Sequence, residues 1–234
     1  MATLGDKDAQ VALGDMYKNG QGVQQDYKVA MDWYVMAAEQ GDAYAQCNIG
    51  DLYKIGRGVP QECPRAMQWY LMAASQGLAR AQYSIGILYE LGRDVPRDFS
   101  QAMYWYLQAA NQGHAMAQHN IGWLYEDGRG VPKDHLQSIG WYLKAAVQGQ
   151  VSAQYRVASM YEHGRGVPRD SSKAIWWYQK AAKQGQTDSK RNLDSMMERM
   201  RRDEDKANLS HFRIVAISGE AMDIVLGSPQ DSAP

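Results

Sequence analysis

Phenylalanine is nearly missing from this chain: two residues among 234, against 15 tyrosines and 7 tryptophans. A core assembled from unrelated segments uses phenylalanine freely, so the skew points to one small pattern copied many times. Cysteine is also scarce. Two residues exclude a disulfide framework and agree with a reducing compartment. No charge of either sign dominates, because the formal net charge is −1. That removes a general pull toward nucleic acid or an anionic membrane. No apolar run approaches the ~18 residues that a membrane-spanning helix needs. The opening "MATLGDKDAQ" turns polar within five residues, unlike a secretory signal. The sequon Asn208-Leu-Ser210 would matter only in a secreted protein. The expectation is a cytoplasmic protein without direct membrane insertion and without a nucleic-acid partner.

Chemistry-bearing motifs are missing too. Ser-x-x-Lys, Gly-x-Ser-x-Gly and His-Glu-x-x-His do not occur, although such spacings are what place nucleophiles and zinc ligands. The histidines His114, His119, His135, His163 and His211 contain no i, i+4 pair and are expected at the surface. No catalytic residue, metal or cofactor is expected.

What is present is a ladder. Trp-Tyr recurs at Trp33-Tyr34, Trp69-Tyr70, Trp105-Tyr106, Trp141-Tyr142 and Trp177-Tyr178, always 36 residues apart. Gln-Gly follows in each copy, ending at Gly41, Gly77, Gly113, Gly149 and Gly185. A third word belongs to the same register: "GQGV" at 20, "GRGV" at 56, "GRDV" at 92, and "GRGV" at 128 and 164. A fixed period without insertions signals a solenoid. Alone, "HGRGVPRD" at 163–170 has the look of a phosphate cradle. Recurring in every copy, without a Lys-Ser/Thr after it or a strand before it, it reads as a turn whose glycines serve chain geometry.

Each copy holds two helices. In "AYAQCNIGDLYKIG", Ala45, Ile49, Leu52 and Tyr53 trace one helical face, and Gly56 supplies a left-handed cap. In "DFSQAMYWYLQAANQG", Asp98 is an N-cap candidate, and Ala102, Trp105, Tyr106, Ala109 and Ala110 form the expected buried stripe, ended by Gly113. Small residues at Gly14, Gly50, Gly86, Gly122 and Ala158 allow close helix approach beside the Trp-Tyr pair. One such hairpin cannot bury its aromatics alone and needs a neighbour.

The words A-x-x-x-[IL]-G-x-x-Y-x-x-G-x-G-V and A-x-x-W-Y-x-x-A-A-x-Q-G, over residues 5 to 201, resemble the Sel-1-like repeat (SLR) family, a relative of the tetratricopeptide repeats. The resemblance implies an all-α, right-handed α-solenoid (superhelix) of five 36-residue helix-loop-helix repeats, with the first helix of each pair lining the concave side. The pairs are expected at about 5–40, 41–76, 77–112, 113–148 and 149–184, with a terminal capping helix over 186–203 that closes a domain of residues 1–203. Residues 204–234 leave the period. "FRIVAISGEAMDIVLG" is apolar enough to pack back on the array, and "SPQDSAP" reads as disordered. Met1 lies almost on the first helix, so the expectation is either an abrupt start or a piece of a longer array. Some bacterial relatives staple each repeat with a disulfide, and those reported to bind penicillin belong to that cysteine-rich branch. Here only one repeat has two cysteines, Cys47 and Cys63. Expected at opposite ends of their hairpin, they are read as unpaired, with Cys47 either an ordinary small side chain or an exposed thiol.

In a repeat array the shared residues make the fold, and partner choice is written where copies differ. Off-pattern aromatics fall at Tyr44, Tyr83, Trp123 and Tyr155 of the first helices. On the helix that buries Ala45, Ile49, Leu52 and Tyr53, positions 44, 47, 48, 51, 54 and 55 point elsewhere, and the resemblance assigns them to the inner surface. The candidate partner-binding groove is therefore Tyr44, Tyr83, Ile87, Glu90, His119, Trp123, Glu126, Tyr155 and Glu162. Its alternative is packing of these aromatics at repeat seams. One slot reads Lys18, Lys54, Glu90, Glu126, Glu162, a groove expected to be basic at its N-terminal end and acidic at its C-terminal end. A partner peptide with an apolar centre and a basic segment would match it. Arg57, Arg93, Arg129 and Arg165 form a second row in the loops, with Asp98, Asp134 and Asp170 nearby as local ion-pair partners.

The reading is a non-catalytic protein–protein interaction scaffold or adaptor that binds a peptide or partner helix in its groove. The resemblance implies adaptor roles in assembling complexes. The alternatives are a regulatory, activating subunit of an enzyme complex and an anionic-surface binder acting through the loop arginines. The oligomeric state and the identity of the partner are not legible in the sequence.

Overall fold

Aspartate opens most of the second helices. The carboxylates of Asp26, Asp98 and Asp134 each accept two backbone N–H groups of the turn that follows, and Asp170 accepts the Lys173 N–H. Asp98 thus caps α6, as its position in the sequence led us to expect, and Asp134 caps α8, where pairing with loop cations was expected. The orphan N–H groups of a helix start are the nearer donors. First helices end on glycine: Gly56, at φ 74°, donates its N–H to the Leu52 carbonyl at 2.9 Å.

The computed structural model describes residues 5–203 and residue 206. Ten helices of 13 residues pair as α1 (Lys7–Asn19) with α2 (Tyr27–Glu39), α3 (Ala43–Ile55) with α4 (Cys63–Ser75), α5 (Ala79–Leu91) with α6 (Phe99–Asn111), α7 (Ala115–Asp127) with α8 (His135–Val147), and α9 (Val151–His163) with α10 (Ser171–Lys183). A terminal helix, α11, covers 187–203. There is no strand among the described residues. The expectations for residues 1–4 and for the tail, Lys206 aside, lie outside the described residues.

The cores do not coincide with the hairpins. Ala30, Met31 and Tyr34 of α2 enclose a cluster with Ala45, Ile49 and Leu52 of α3, and Trp69 of α4 packs against it. The same offset recurs where α6 meets α7, with Trp141 against that cluster. The Trp-Tyr pairs of α4, α6 and α8 are therefore divided, whereas Trp177 and Tyr178 of α10 are both buried in the last cluster. The tyrosine goes fully into its own layer, while Trp69, Trp105 and Trp141 pack half-buried on the layer before. Trp105 was expected in the buried stripe, and Met103 takes that place. Shared cores explain why a lone hairpin is insufficient.

The small residue of each first helix faces this tyrosine. A Cβ at Gly86 would lie 2.5 Å from the Tyr106 ring, and one at Gly122 would lie 2.7 Å from Tyr142. Gln-Gly carries a tie that the sequence pattern did not explain. Gln40, Gln76, Gln112, Gln148 and Gln184 donate from the ends of the second helices to buried Gln10, Gln46, Gln82, Gln118 and Gln154, at 2.7–2.9 Å.

The Gly-x-Gly-Val loops are seams. Gly58, Gly130 and Gly166 rest on the first residues of α2, α6 and α8, each the second helix of the preceding hairpin. Repeat five ends against α11, whose Leu193 and Met196 join the last core cluster.

Candidate protein-binding face

The first helices α1, α3, α5, α7 and α9 lie side by side, and from α3 onward each turns its buried residues toward the second helices of its own and the preceding hairpin. α3 shows what remains open. Tyr44 is 59% exposed and Ile55 52%, whereas Cys47 and Asn48, expected to point outward, are buried. Neighbouring helices press from both sides, so the open part narrows to positions 44 and 55, with 51 and 54 half-buried between them. On that line the exposed apolar side chains are Tyr44, Ile55, Leu91 and Met116.

The other candidate groove residues sit deeper. Tyr83 is half-buried, stacked on His114 at a ring separation of 4.6 Å and tilted against Tyr106 at 5.8 Å. His119 lies against Tyr142 at 5.3 Å, and Tyr155 against Tyr178 at 5.7 Å. Ile87 and Trp123 are half-buried, and Trp123 carries the Arg129 guanidinium 4.6 Å above its ring. Tyr83, His119 and Tyr155 thus pack against their own hairpins' tyrosines.

The glutamates have a structural task. Each fully buried tyrosine donates its hydroxyl to one carboxylate: Tyr106 to Glu90 at 2.5 Å, and Tyr142 to Glu126 and Tyr178 to Glu162 at 2.8 Å. In the first two hairpins Tyr34 and Tyr70 donate instead to Asp15 and Asp51, each at 2.6 Å. The carboxylate changes slot, and its former place goes to Lys18 and Lys54, which pair with those aspartates at 2.8 and 3.6 Å. Where the aspartate slot holds Ile87, Trp123 or Ser159, the lysine slot holds glutamate. A buried hydroxyl needs its acceptor, and one carboxylate per layer meets that need.

The expected basic-to-acidic gradient is accordingly absent, because the charges are neutralised in place. Arg80 pairs with Asp51, Arg156 and Arg165 both lie 3.8 Å from Glu126, which is 8% exposed, and Arg199 pairs with Glu162 at 2.5 Å. Among the described residues no cation pairs with Glu90, which receives only Tyr106 and Asn120. Asp51 and Glu126 each serve two cations.

Of the histidines expected at the surface only His163 is exposed. His114, His119 and His135 are half-buried, and His211 lies outside the described residues. Burial holds His119 below its ordinary value of 6.5, with Arg156 adding to the effect and Asn120 and Glu126 opposing it. Burial does the same for His114, with Arg80 acting in the same direction. Both are neutral in the fold at pH 7, so the unfolded chain takes up protons first as pH falls. Stability from these sites is complete above about pH 6.5 and declines as pH drops toward their depressed values. A lower urea midpoint is expected at about pH 5.5 than at about pH 8, with a smaller difference in His119→Gln. An unchanged difference would remove His119 from this account.

Cys47 and Cys63 are free and buried. Burial pushes the Cys47 thiol up to about 12, which excludes the exposed reactive thiol. Among the described residues no group of three or more His, Cys, Asp or Glu can hold a metal, and no helix is long and apolar enough to cross a membrane.

Paired helices, cores shared between hairpins and one narrow open strip define an all-α repeat solenoid. The chain belongs to the Sel1 repeat family, whose model matches residues 7–42, 43–78, 79–114, 115–150 and 151–186. A protective antigen of uropathogenic Escherichia coli displaying an SLR fold is 36% identical, with a TM-score of 0.77. That match covers 82% of this chain and 41% of that one, so this chain spans well under half of that protein's length. A Sel1 repeat protein from Oxalobacter formigenes is 35% identical with a TM-score of 0.74, covering 81% of this chain and 76% of that one. An immunity protein from Pseudomonas aeruginosa shares the fold at 23% identity and a TM-score of 0.55, covering 78% and 67%. Among curated proteins none matches. Sel1 repeat proteins mediate protein–protein interactions.

Proposed function

We propose that this chain is a non-catalytic scaffold, working in the cytoplasm, that binds an extended or helical segment of a protein partner along the strip formed by its first helices. The observation that carries this reading is the line of exposed apolar side chains, Tyr44, Ile55, Leu91 and Met116, where neighbouring positions are packed or ion-paired. Exposed apolar anchors set among satisfied charges are the usual composition of a binding surface. Glu90, with which no cation pairs among the described residues, would select a basic residue near the middle of the bound segment.

Binding through the loop arginines is less well supported. Arg57 donates to the Tyr27 hydroxyl at 2.7 Å, Arg129 covers Trp123, and Arg165 faces Glu126. Three of the four loop arginines, all but Arg93, thus already have a partner within the protein. A regulatory subunit would use the same strip and differs only in what it binds.

The test compares partner capture by the intact chain and by Tyr44→Ala/Leu91→Ala, both side chains being exposed enough to leave the fold unchanged by circular dichroism. Loss of about tenfold or more in affinity for a captured partner supports the strip. Equal capture moves the site elsewhere. Arg129→Glu/Arg165→Glu serves as the contrast and should leave capture intact.

A further inference from the structure

Helix α8 carries an apolar stripe that stacking uses only through Leu143. Along α8, Leu136, Gly140, Leu143 and Val147 recur at spacings that place them on one line. Leu136 is 66% exposed and Val147 72%, the highest values for large hydrophobic side chains among the described residues. The same positions read Lys28, Asp32, Val35 and Glu39 in α2, and Ser172, Trp176, Gln179 and Lys183 in α10. Tyr104 of α6 and Trp176 of α10, both exposed, occupy the slot of Gly140 in the adjoining hairpins. Gly140 itself has no packing reason, since a Cβ there would meet nothing. Glycine inside a helix is destabilising relative to alanine, and its gain is a flat floor between two aromatic walls.

Apart from the cap carboxylates Asp134 and Asp170, which accept N–H groups of the helix starts, the charge around this floor is positive. Neither α8 nor α10 contains an Asp or Glu, while Lys144, Lys180 and Lys183 stand exposed, Lys180 4.3 Å from the Trp176 ring. An occupant should therefore be apolar and acidic. Residues 212–226, "FRIVAISGEAMDIVL", are apolar with Glu220 and Asp223 among them. From 204 to 234 five acidic side chains stand against Lys206 and Arg213.

Position agrees with chemistry. Asp203 lines a cleft with Arg169 and Ser171 at the start of α10. Gly166, a few residues earlier in the same loop, rests on His135 and Leu136 at the start of α8. The eight residues 204–211 can span up to ~26–29 Å, and packed helices lie about 8–10 Å apart, so the stripe is within reach.

We propose that residues 212–226 of the same chain dock on the outer stripe of α8, between Tyr104 and Trp176, with Glu220 and Asp223 toward the lysines of α8 and α10. The proposal is independent of the inner strip. It is tested by amide hydrogen exchange on the full chain, with sedimentation to fix the oligomeric state. The expected result is a monomer in which amides of 212–226 exchange about tenfold or more slowly than in Leu136→Lys/Val147→Lys. Both substitutions are of exposed side chains, and circular dichroism checks the fold. Exchange at the unprotected rate in the unmodified chain overturns the proposal, as does protection that survives the double substitution. A dimer that the substitution dissociates also overturns it, by assigning the stripe to a second copy.

Discussion

Truncating Tyr106 to alanine is expected to lower the unfolding free energy by about 3–5 kcal/mol, read as a lower urea midpoint. The ring is fully buried in the middle layer, where it lies against the Cα of Gly86 and packs with Tyr83. Its removal leaves a cavity between α5 and α6 that backbone already in contact cannot close. Tyr106→Phe isolates the hydroxyl. The expected loss is about 1–3 kcal/mol, because Glu90 then keeps only the Asn120 amide at 3.4 Å. Gly86→Ala tests the same contact from the other side. An added Cβ meets the ring at 2.5 Å, an overpacking expected to cost about 1–3 kcal/mol. The lower end applies, since repeat five holds Ala158 in this slot and still encloses Tyr178 completely. The two sites share one volume, so Gly86→Ala should cost less in the Tyr106→Ala background than alone. Strict additivity would show that the ring and the glycine do not constrain one another.

The period, the ten helices and the glycine–tyrosine contact were legible because every copy repeats them. A five-fold recurrence separates the shared pattern from chance. The open strip was legible only in part. Positions 47 and 48 lie off the apolar line of Ala45, Ile49 and Leu52, and amphipathicity alone leaves them in solvent. They are buried because a first helix has other first helices on both sides, a fact of the stack that one helix does not express. The hydroxyl acceptors were hidden differently. Asp15 and Asp51 precede their tyrosines by 19 residues, whereas Glu90, Glu126 and Glu162 precede theirs by 16. Read slot by slot, the lysine-to-glutamate change resembles a charge gradient for a partner. Read with the aspartate slot beside it, the change is a relocation of one acceptor. The paired glutamines were equally open to view at their constant separation of 30, and nothing in a single chain marks that separation as a contact.

Gly166→Ala is expected to loosen repeat five from repeat four, with a loss of about 2–4 kcal/mol. The glycine has φ +70°, and a Cβ would fall 2.2 Å from the His135 carbonyl oxygen and 2.8 Å from the Leu136 nitrogen. Those are backbone atoms at the start of α8, so no side chain can swing away. Gly149→Ala separates the two contributions. That residue has φ +91° with nothing near a Cβ, so it reports the left-handed backbone alone, about 1–2 kcal/mol. The excess of Gly166→Ala over Gly149→Ala is then the collision across the seam. Repeat three provides the natural counter-example. Asp94 stands in the Gly166 slot and is the one described residue other than glycine with positive φ, at 55°. Aspartate is among the few side chains that accept this region, and here its charge adds to burial in pushing up the Cys63 thiol at the start of α4. Asp94→Gly relaxes the backbone and removes one charge, so its net effect is expected to stay within about 1 kcal/mol of zero. A large loss for Gly166→Ala beside a near-neutral Asp94→Gly would show that the Gly-x-Gly-Val loop joins one repeat to the next through its second glycine. Equal, small effects at Gly166 and Gly149 would show that the seam yields, and the coupling between hairpins would then rest on the shared cores alone.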